Sequence, residues 1–422
     1  MRFTRLDDWL AWQETLHPRA WDPGLERLGR VVAGLGLARL PSTVIMVAGT
    51  NGKGSVVALL EAIYRAAGYS TGAFTSPHIH RYNERLRLDG EPASDAAWIT
   101  AFDRVDRARA GDSLSYFEFN TLGALDILAR EAPDVALLEV GLGGRLDAVN
   151  ATTPDAAVIT TVDLDHQAWL GEDREAIGGE KAGIFRAGVP AIVGDPDPPA
   201  RVLERARELE APLLRTGVDF GAGEAETGWR WWGRRVREEL PEPGLAGVIQ
   251  RQNAATALAA VTALEDALPV ADAAVATGLA GARLPGRFER RPGPVPLILD
   301  VAHNPQATGA LAAGLQAEPC AGRTLAVVAM LGDKAAAPAL APLAGVVDSW
   351  FPAALTGFRG RTATDMAAAI HEATAGTARV GLDPAEEPAP AEALARARAA
   401  AGPEDRIVVF GSFQTLARAL PE

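Results

Sequence analysis

Cysteine is nearly absent from the sequence, with Cys320 the single example among 422 residues. One cysteine excludes an intrachain disulfide and a zinc site built on several thiolates, and it suits a reducing cytoplasm. An isolated cysteine commonly serves as a small apolar side chain, so we expect Cys320 to be buried.

Positive charge and long apolar runs are also scarce. Lysine and arginine number 41 against 54 aspartates and glutamates, which gives a net charge of −13 and a pI near 5.1. This balance argues against a general nucleic-acid surface, so any anionic ligand must be held by local groups. No apolar run approaches the length of a membrane-spanning helix, and Asp7, Asp8 and Glu14 do not fit a signal peptide. We therefore expect a cytoplasmic protein that binds neither membranes nor nucleic acid.

The length of the chain exceeds one ordinary hydrophobic core, so two domains are expected. Its composition, 48% hydrophobic and 23% charged, is typical of a globular protein. The Pro- and Gly-rich stretch from Leu284 to Pro296 is the best boundary, and we divide the chain into residues 1–286 and 287–422. Short β-branched runs alternate with helical patterns in both parts, which predicts an α/β protein with parallel sheets.

The most informative stretch runs from Val44 to Ser55, VIMVAGTNGKGS. A buried-strand pattern breaks there into a glycine-rich turn and then into a helical pattern. Such a turn brings backbone N–H groups against an anion at the positive end of the helix, while Lys53 adds a charge and Ser55 a hydroxyl for Mg²⁺. Gly54 departs from the usual spacing between lysine and hydroxyl, and the alternative is a glycine-rich turn with a helix cap. The flanking strand and helix favour a nucleotide-phosphate loop.

Polar residues follow the next two predicted strands. Residues 134–140 form a buried strand pattern with Glu139 near its end, and the strand at 157–162 leads into Asp165 and His166. Ligands bind at the carboxyl ends of strands in open α/β sheets, so we expect Ser55, Glu139 and His166 to form a site for a hard metal ion. Taken alone, His166 would be interpreted as an ordinary surface or core residue, and Lys181 as a solvated helical lysine.

The remaining patterns predict further elements. Helical patterns cover 3–16, 24–37, 95–110, 116–131, 253–268 and 271–280. The polar segment 77–90 is interpreted as a long loop or irregular ribbon, and 214–248 as a small antiparallel hairpin region in which the tryptophans pack. The second domain alternates with helices, and its strands are predicted at 297–301, 324–329, 346–351 and 406–411.

Several segments in one order carry a family resemblance. They are GTNGKGS at 49–55, Ser76-Pro77-His78 with Asn83-Glu84-Arg85, EVGLGGRLD at 139–147, Asp165-His166, EKAGI at 180–184, LPGRF at 284–288, DVAHNP at 300–305 and GSF at 411–413. Each is modest evidence, but their joint order is specific. Over nearly its whole length the chain resembles the Mur ligase superfamily, and within it the bifunctional dihydrofolate synthase/folylpolyglutamate synthases.

The resemblance implies that ATP binds between an N-terminal P-loop-type parallel-sheet domain and a smaller, Rossmann-like C-terminal domain. The nucleotide-binding residues it implies are Thr50, Asn51, Gly52, Lys53, Gly54, Ser55, Asn253, Arg287 and Asp300. The implied Mg²⁺ ligands are Ser55, Ser76, Glu139 and His166, and a second Mg²⁺ and a monovalent cation belong to the same expectation. The implied catalytic residues are Lys53, His303 and Lys181, the last matching a lysine that CO₂ carbamylates in the family.

The implied substrates are dihydropteroate, folates and L-glutamate, handled by a monomeric enzyme. The carboxylate of the acceptor would attack the γ-phosphoryl group of ATP, and the amine of L-glutamate would then attack the acyl phosphate. The implied pteroate-binding residues are Asp22, Gly24, Leu25, Tyr116, Phe117, Glu118, Leu146 and Asp147.

One departure and two alternatives accompany this interpretation. The turn Gly332-Asp333-Lys334-Ala335 lacks the second acid that the family often has after the lysine, which weakens the transfer of an amino-acid-binding role to it. Another Mur-type amino-acid ligase would share the loop, the metal ligands and the lysine, although the matches at 22–25, 76–90 and 139–150 favour folate. A nucleotide-dependent switch that ligates nothing would be excluded by ATP consumption that requires both a pteroate and glutamate.

Overall fold

The computed structural model describes residues 1–17, 24–357, 359–381, 383 and 386–420. Contacts divide the chain into two compact units. Unit 1 comprises Met1–Asp163, Gln167–Gly244 and Arg251–Ala282, and unit 2 comprises Leu164–His166, Leu245–Gln250 and Arg283–Glu422. Asp22, which we predicted to bind pteroate, lies outside the described residues.

The helices of unit 1 have the following bounds, the ninth of them beginning one residue earlier, at Gln250 of unit 2. They are α1 (Leu6–Gln13), α2 (Glu26–Leu35), α3 (Lys53–Ala66), α4 (Asp95–Ala108), α5 (Tyr116–Glu131), α6 (Gln167–Leu170), α7 (Arg174–Lys181), α8 (Ala200–Glu208), α9 (Gln250–Ala263) and α10 (Asp272–Gly281). Helix α5 has the predicted bounds because a capping box fixes its start. The Ser115 hydroxyl accepts a hydrogen bond from the Glu118 N–H, and the Glu118 carboxylate accepts one from the Ser115 N–H. Helices α1 and α2 are shorter than predicted.

A largely parallel sheet forms the centre of unit 1. Its strands are β1 (Thr43–Ala48), β2 (Thr71–Phe74), β3 (Leu86–Leu88), β4 (Glu91–Pro92), β5 (Val135–Glu139), β6 (Ala156–Ile159), β7 (Ala191–Val193) and β8 (Leu213–Arg215). Across the sheet they lie in the order β4-β3-β2-β5-β1-β6-β7-β8. Strands β1, β2, β5 and β6 run parallel, so their carboxyl ends are neighbours at one edge. Their side chains are buried, which explains the continuous apolar runs in the sequence.

Two segments of unit 1 differ from the sequence-based interpretation. The segment 77–90, expected as a long loop or irregular ribbon, contains a 3₁₀ turn at Tyr82–Arg85 and then strand β3, which pairs antiparallel with both β2 and β4. The hairpin region expected from residue 214 was wrong at its start, because Leu213–Arg215 is the parallel edge strand β8. Strands β3 and β8 have three residues each, too few to establish a hydrophobic alternation in the sequence.

The rest of the hairpin prediction is confirmed. Strands β9 (Gly221–Glu224), β10 (Trp229–Trp232) and β11 (Val236–Leu240) form an antiparallel sheet. Trp229 and Trp231 are buried, and their indole N–H groups donate to the carbonyl oxygens of Pro241 and Ala255 at 2.8 and 3.1 Å. These tryptophans therefore serve packing, as expected.

Unit 2 has its own sheet and helices. The strands are β12 (Glu289–Arg291), β13 (Leu297–Leu299), β14 (Thr324–Val328), β15 (Ser349–Pro352) and β16 (Arg406–Phe410), in the order β12-β13-β16-β14-β15. The helices are α11 (Pro305–Ala317), α12 (Ala336–Leu340), α13 (Ala363–Ala373), α14 (Pro390–Ala400) and α15 (Phe413–Ala419). The four predicted strands are confirmed as a parallel set, and β12 adds an antiparallel edge strand within the predicted boundary segment.

The structure also bears on the expectations for Cys320 and for membrane-spanning helices. Cys320 is half-buried, so the expectation of a fully buried thiol was wrong. Across the described residues, every helix is too short or too polar to span a bilayer.

Candidate active site

The loop of residues 49–52 joins β1 to α3 and depends on two glycines. Gly49 has φ +150°, and a Cβ there would lie 1.8 Å from Oγ1 of Thr160. Gly52 has φ +85°, and a Cβ there would lie 2.7 Å from Oδ1 of Asn253. Only glycine fits both positions. Asn253, which we predicted to contact nucleotide, therefore lies directly beside the loop.

The residues that follow β6 hold this loop in place. The Thr50 N–H donates to the Thr161 carbonyl at 2.7 Å, and the Asn51 N–H donates to the Thr161 hydroxyl at 3.3 Å. The Thr160 hydroxyl donates to the Asn51 carbonyl at 2.5 Å. Sequence reasoning missed Thr160 and Thr161, because only the adjacency of β6 to β1 reveals their role.

Lys53 folds back over the loop from the first turn of α3. Its Nζ donates to the carbonyl oxygens of Gly49 and Thr50 at 3.0 and 3.1 Å. The ammonium group is therefore fixed at the loop, where the positive end of α3 also attracts an anion. Ser55 follows in the same turn and is buried. This arrangement is suited to binding phosphate.

Glu139 and Ser76 meet at the carboxyl ends of adjacent strands. The buried Glu139 carboxylate accepts a hydrogen bond from the Ser76 N–H at 3.2 Å. Strand β5, which carries Glu139, lies between β2 and β1. Within the described ranges, no three His, Cys, Asp or Glu side chains gather as a metal site. The predicted ligands Ser55, Ser76 and Glu139 offer the hard oxygen atoms that suit Mg²⁺.

Three of the residues predicted to bind pteroate, Phe117, Leu146 and Asp147, lie in or beside the turn that follows β5. The Phe117 ring packs on Gly141, where a Cβ would come within 2.4 Å of it. The Asp147 carboxylate accepts hydrogen bonds from the Leu142 and Val149 N–H groups at 2.8 and 3.0 Å. Burial raises the pKa of Asp147 to about 6, against the opposing effects of these N–H groups and of the Lys53 charge. The influence of Lys53 links the phosphate loop to this group of residues.

Glu118 has structural partners. Its carboxylate accepts the Ser115 N–H at 2.7 Å and forms an ion pair with Arg27 at 3.2 Å. A substrate contact would have to share these bonds. Leu25 packs partly buried against the core of unit 1, and Leu146 is half-buried.

Arg85 and His78 form a polar pair next to Tyr116. The Arg85 Nε–H donates to His78 Nδ1 at 2.9 Å, and its Cζ lies 5.9 Å from the centre of the Tyr116 ring. Burial, with the charge of Arg85, lowers the pKa of His78 to about 4. Both residues belong to the quoted family segments, but no local pattern indicates a role for either of them.

Lys181 is buried at the end of α7, unlike a solvated helical lysine. A Cβ on Gly144 would lie 2.8 Å from the Lys181 carbonyl oxygen and 2.9 Å from that of Glu180. The glycine-rich turn after Glu139 therefore packs directly onto the end of this helix.

Asp165 is the centre of a charged cluster in unit 2. The Lys334 Nζ lies 2.6 Å from Asp165 Oδ1, and the Asn304 Nδ2 donates to Oδ2 at 3.1 Å. His303 Nε2 lies 3.5 Å from Oδ2. Burial opposes ionisation of Asp165, but the His303 hydrogen bond and the neighbouring positive charges hold its pKa well below the usual range.

Both predicted functional histidines of unit 2 contact this cluster. His166 Nε2 lies 3.3 Å from the Lys334 Nζ, and His303 Nδ1 donates to the Val301 carbonyl at 2.8 Å. In the sequence, Lys334 stands out only as part of the turn at 332–335, which departs from the family pattern. Its pairing with Asp165 could not be seen there, because the two residues are 169 positions apart.

Arg287 and Asp300 are neighbours at the end of β13. The Asp300 carboxylate accepts the Phe288 and Ala302 N–H groups, each at 2.8 Å. Burial raises the pKa of Asp300, and the charge of Arg287 opposes this shift. The Arg287 guanidinium lies 5.1 Å from the Phe413 ring centre. The structure therefore brings together three residues from the quoted segments at 284–288, 300–305 and 411–413.

Comparison with known proteins covers nearly the whole chain. Residues 286–413 match the family model described as Mur ligase, glutamate ligase domain. The chain is 43% identical over 416 residues to the dihydrofolate synthase/folylpolyglutamate synthase of Escherichia coli, covering 98% of this chain and 94% of that one. It is 36% identical over 431 residues to the Haemophilus influenzae protein of the same name, covering 98% and 96%.

Solved structures agree in fold. E. coli FolC in complex with DHPP and ADP has a TM-score of 0.91 and 44% identity, covering 98% of this chain and 96% of that one. A bifunctional folylpolyglutamate synthase/dihydrofolate synthase with Mn, AMPPNP and L-glutamate bound has a TM-score of 0.89 and 42% identity, covering 98% and 97%. The chain therefore belongs to the dihydrofolate synthase/folylpolyglutamate synthase family of Mur ligases.

Proposed function

We propose that the protein is an ATP-dependent ligase that adds L-glutamate to 7,8-dihydropteroate, giving dihydrofolate, and to tetrahydrofolates, lengthening their glutamate chain. The observation that carries this proposal is the 43% identity, over 98% of the chain, to a relative named for both activities. The phosphate loop, with Lys53 Nζ 3.0 Å from the Gly49 carbonyl, supplies independent support from geometry.

A carboxylate does not react with an amine at neutral pH unless it is first activated. In the proposed reaction the acceptor carboxylate attacks the γ-phosphoryl group of ATP, ADP leaves, and the amine of L-glutamate then displaces phosphate from the acyl phosphate. Lys53 and the loop N–H groups would stabilise the charge on the transferring oxygens. Asn253, Arg287 and Asp300 are proposed as further nucleotide contacts, and Lys181 and His303 as catalytic residues.

The proposed metal is Mg²⁺, and the oxygen-rich donor set fits it. Ser55, Ser76, Glu139 and His166 would hold the ion, which when bound neutralises charge on the phosphate oxygens. A second Mg²⁺, a monovalent cation and a monomeric state belong to the same proposal. A cytoplasmic location also belongs to it, and the single cysteine fits a reducing compartment.

The acceptor is proposed to bind beside the turn after β5. Gly24, Leu25, Tyr116, Phe117, Leu146 and Asp147 would surround its pterin and benzoate rings. The Asp147 carboxyl is fixed by two backbone N–H groups, so it presents a defined hydrogen-bonding edge. The apolar rings of Tyr116 and Phe117 are suited to packing on a flat heterocycle.

The test is phosphate release from Mg·ATP and L-glutamate, with 7,8-dihydropteroate or a tetrahydrofolate as acceptor and products identified by mass. We expect turnover with both acceptors and none when either the acceptor or glutamate is omitted. Turnover with the tetrahydrofolate alone would reduce the protein to a polyglutamate-extending enzyme. ATP binding without turnover on either acceptor would contradict the proposal.

A further inference from the structure

Arg85 is a buried cation. The residue is 8% exposed, and within the described ranges it forms no ion pair. Arg87, two positions later, has its charge balanced by an acid, because its guanidinium lies 2.7 Å from the Glu61 carboxylate. A buried charge with no opposite charge is costly, so such a group calls for an anionic ligand.

The acid nearest to Arg85 in sequence is already engaged. The Glu84 carboxylate accepts hydrogen bonds from the N–H groups of Ile79, His80 and Arg81 at 2.8, 2.9 and 2.7 Å. It therefore stabilises the backbone of the turn. The same turn aims Arg85 at His78 and at the rings of Tyr82 and Tyr116.

The contact with His78 adds a second donor. Arginine only donates hydrogen bonds, so the Arg85 Nε–H at 2.9 Å requires His78 Nδ1 to act as the acceptor. A neutral imidazole that accepts at Nδ1 carries its proton on Nε2. The pair thus offers the remaining guanidinium N–H groups and an imidazole N–H. This set of donors is suited to a carboxylate.

The location of the Arg85–His78 pair indicates which substrate carboxylate it would bind. Arg85 lies 5.9 Å from the ring centre of Tyr116, one of the residues proposed to surround the acceptor. Dihydropteroate has a single carboxylate, and the reaction consumes it. A tetrahydrofolate with one glutamate has two carboxylates and keeps one of them, and free L-glutamate reacts through its amine and keeps both.

We propose that Arg85 and His78 form a subsite for the unreacted carboxylate of a glutamyl group. This inference rests on the proposed function, since it assumes glutamate and folate as substrates. It makes Arg85 a specificity residue, required for glutamylated acceptors or for the incoming amino acid and dispensable for dihydropteroate binding.

The test is steady-state kinetics of wild type and variants with each substrate varied in turn. Arg85→Gln should raise the KM for a tetrahydrofolate or for L-glutamate about 10- to 100-fold, the size of a lost charge-assisted pair, and leave the KM for dihydropteroate within about twofold. A rise for the tetrahydrofolate alone assigns the carboxylate to the acceptor. A rise for L-glutamate with both acceptors assigns it to the incoming amino acid.

Three further variants keep the result interpretable. Arg81→Gln, at an exposed position of the same turn, should change no KM. Arg85→Lys keeps the charge without the fork and should give a smaller rise in the same KM, which decides the matter if Arg85→Gln fails to fold. His78→Asn should raise that KM as well. The inference would be overturned by unchanged KM values in all Arg85 and His78 variants, or by an equal rise in the KM for dihydropteroate. A wild type that is inactive on both acceptors would instead overturn the proposed function.

Discussion

Gly49→Ala is the substitution whose cost the structure defines best. The new Cβ would lie 1.8 Å from the Thr160 Oγ1, 3.1 Å from its Cβ and 3.2 Å from its backbone nitrogen. The backbone at Gly49, with φ +150°, is also one that other residues rarely adopt. Alanine therefore meets both a steric overlap and a strained backbone.

The two costs can be estimated separately. Overpacking a close contact costs about 1–3 kcal/mol. Holding a non-glycine residue in a sparsely populated backbone region costs about 1–3 kcal/mol more. We therefore expect Gly49→Ala to lower the free energy of unfolding by about 2–6 kcal/mol, and to weaken ATP binding because the loop must move.

Equilibrium urea unfolding, with Gly111→Ala as control, separates these costs. Gly111 has φ +96° with nothing within 4 Å of an added Cβ, so its alanine variant should show the backbone cost alone. Thr160→Ala removes the Oγ1 that overlaps, so Gly49→Ala should cost about 1–2 kcal/mol less in that background. The reasoning is refuted if Gly49→Ala costs no more than Gly111→Ala, or if its cost is the same with and without Thr160→Ala.

Three further predictions address the charges of unit 1. Lys53→Ala should lower kcat for amide formation at least about 10²-fold, with unfolding in urea little changed, and near-normal turnover would remove Lys53 from the mechanism. Arg87→Met leaves the Glu61 side chain, which is 8% exposed, without its cation. This variant should lower the free energy of unfolding in urea by about 3–5 kcal/mol, and a loss below about 1 kcal/mol would contradict a buried ion pair. Burial raises the pKa of Asp147 to about 6, above its unfolded value near 4, so the folded state binds this proton more tightly. That stabilisation is present below about pH 4 and is lost as pH rises through about 6. The stability of wild type relative to Asp147→Asn should therefore fall by about 2–3 kcal/mol from about pH 4 to 7, and a constant difference would contradict the shift.

The elements that the sequence predicted well are those with strong local signals. Helix α5 has a capping pair at Ser115 and Glu118 and an uninterrupted helical pattern, and its predicted bounds agree with the structure. The phosphate loop was identified because its glycines stand between a buried strand and a helix. The weakly predicted elements are edge strands such as β8 and β12, whose few half-exposed residues show no periodicity and depend on a neighbouring strand.

The parts of the site that depend on distant contacts could not be predicted. Thr160 supports the phosphate loop only because β6 lies beside β1, and no local pattern shows that adjacency. Lys334 pairs with Asp165 across 169 positions of sequence. That Arg85 forms no ion pair among the described residues is likewise a property of packing. The sequence offers nearby acids such as Glu84, and only the structure shows that this carboxylate bonds to backbone N–H groups.

The most direct measurement of the central claim follows oxygen from the acceptor to phosphate. Dihydropteroate labelled with ¹⁸O in its carboxylate is incubated with Mg·ATP and L-glutamate, and the released phosphate is analysed by mass. Ligation through an acyl phosphate predicts that each dihydrofolate formed is accompanied by one phosphate that carries one carboxylate oxygen. Phosphate without ¹⁸O, or phosphate released without glutamate addition, would contradict the account.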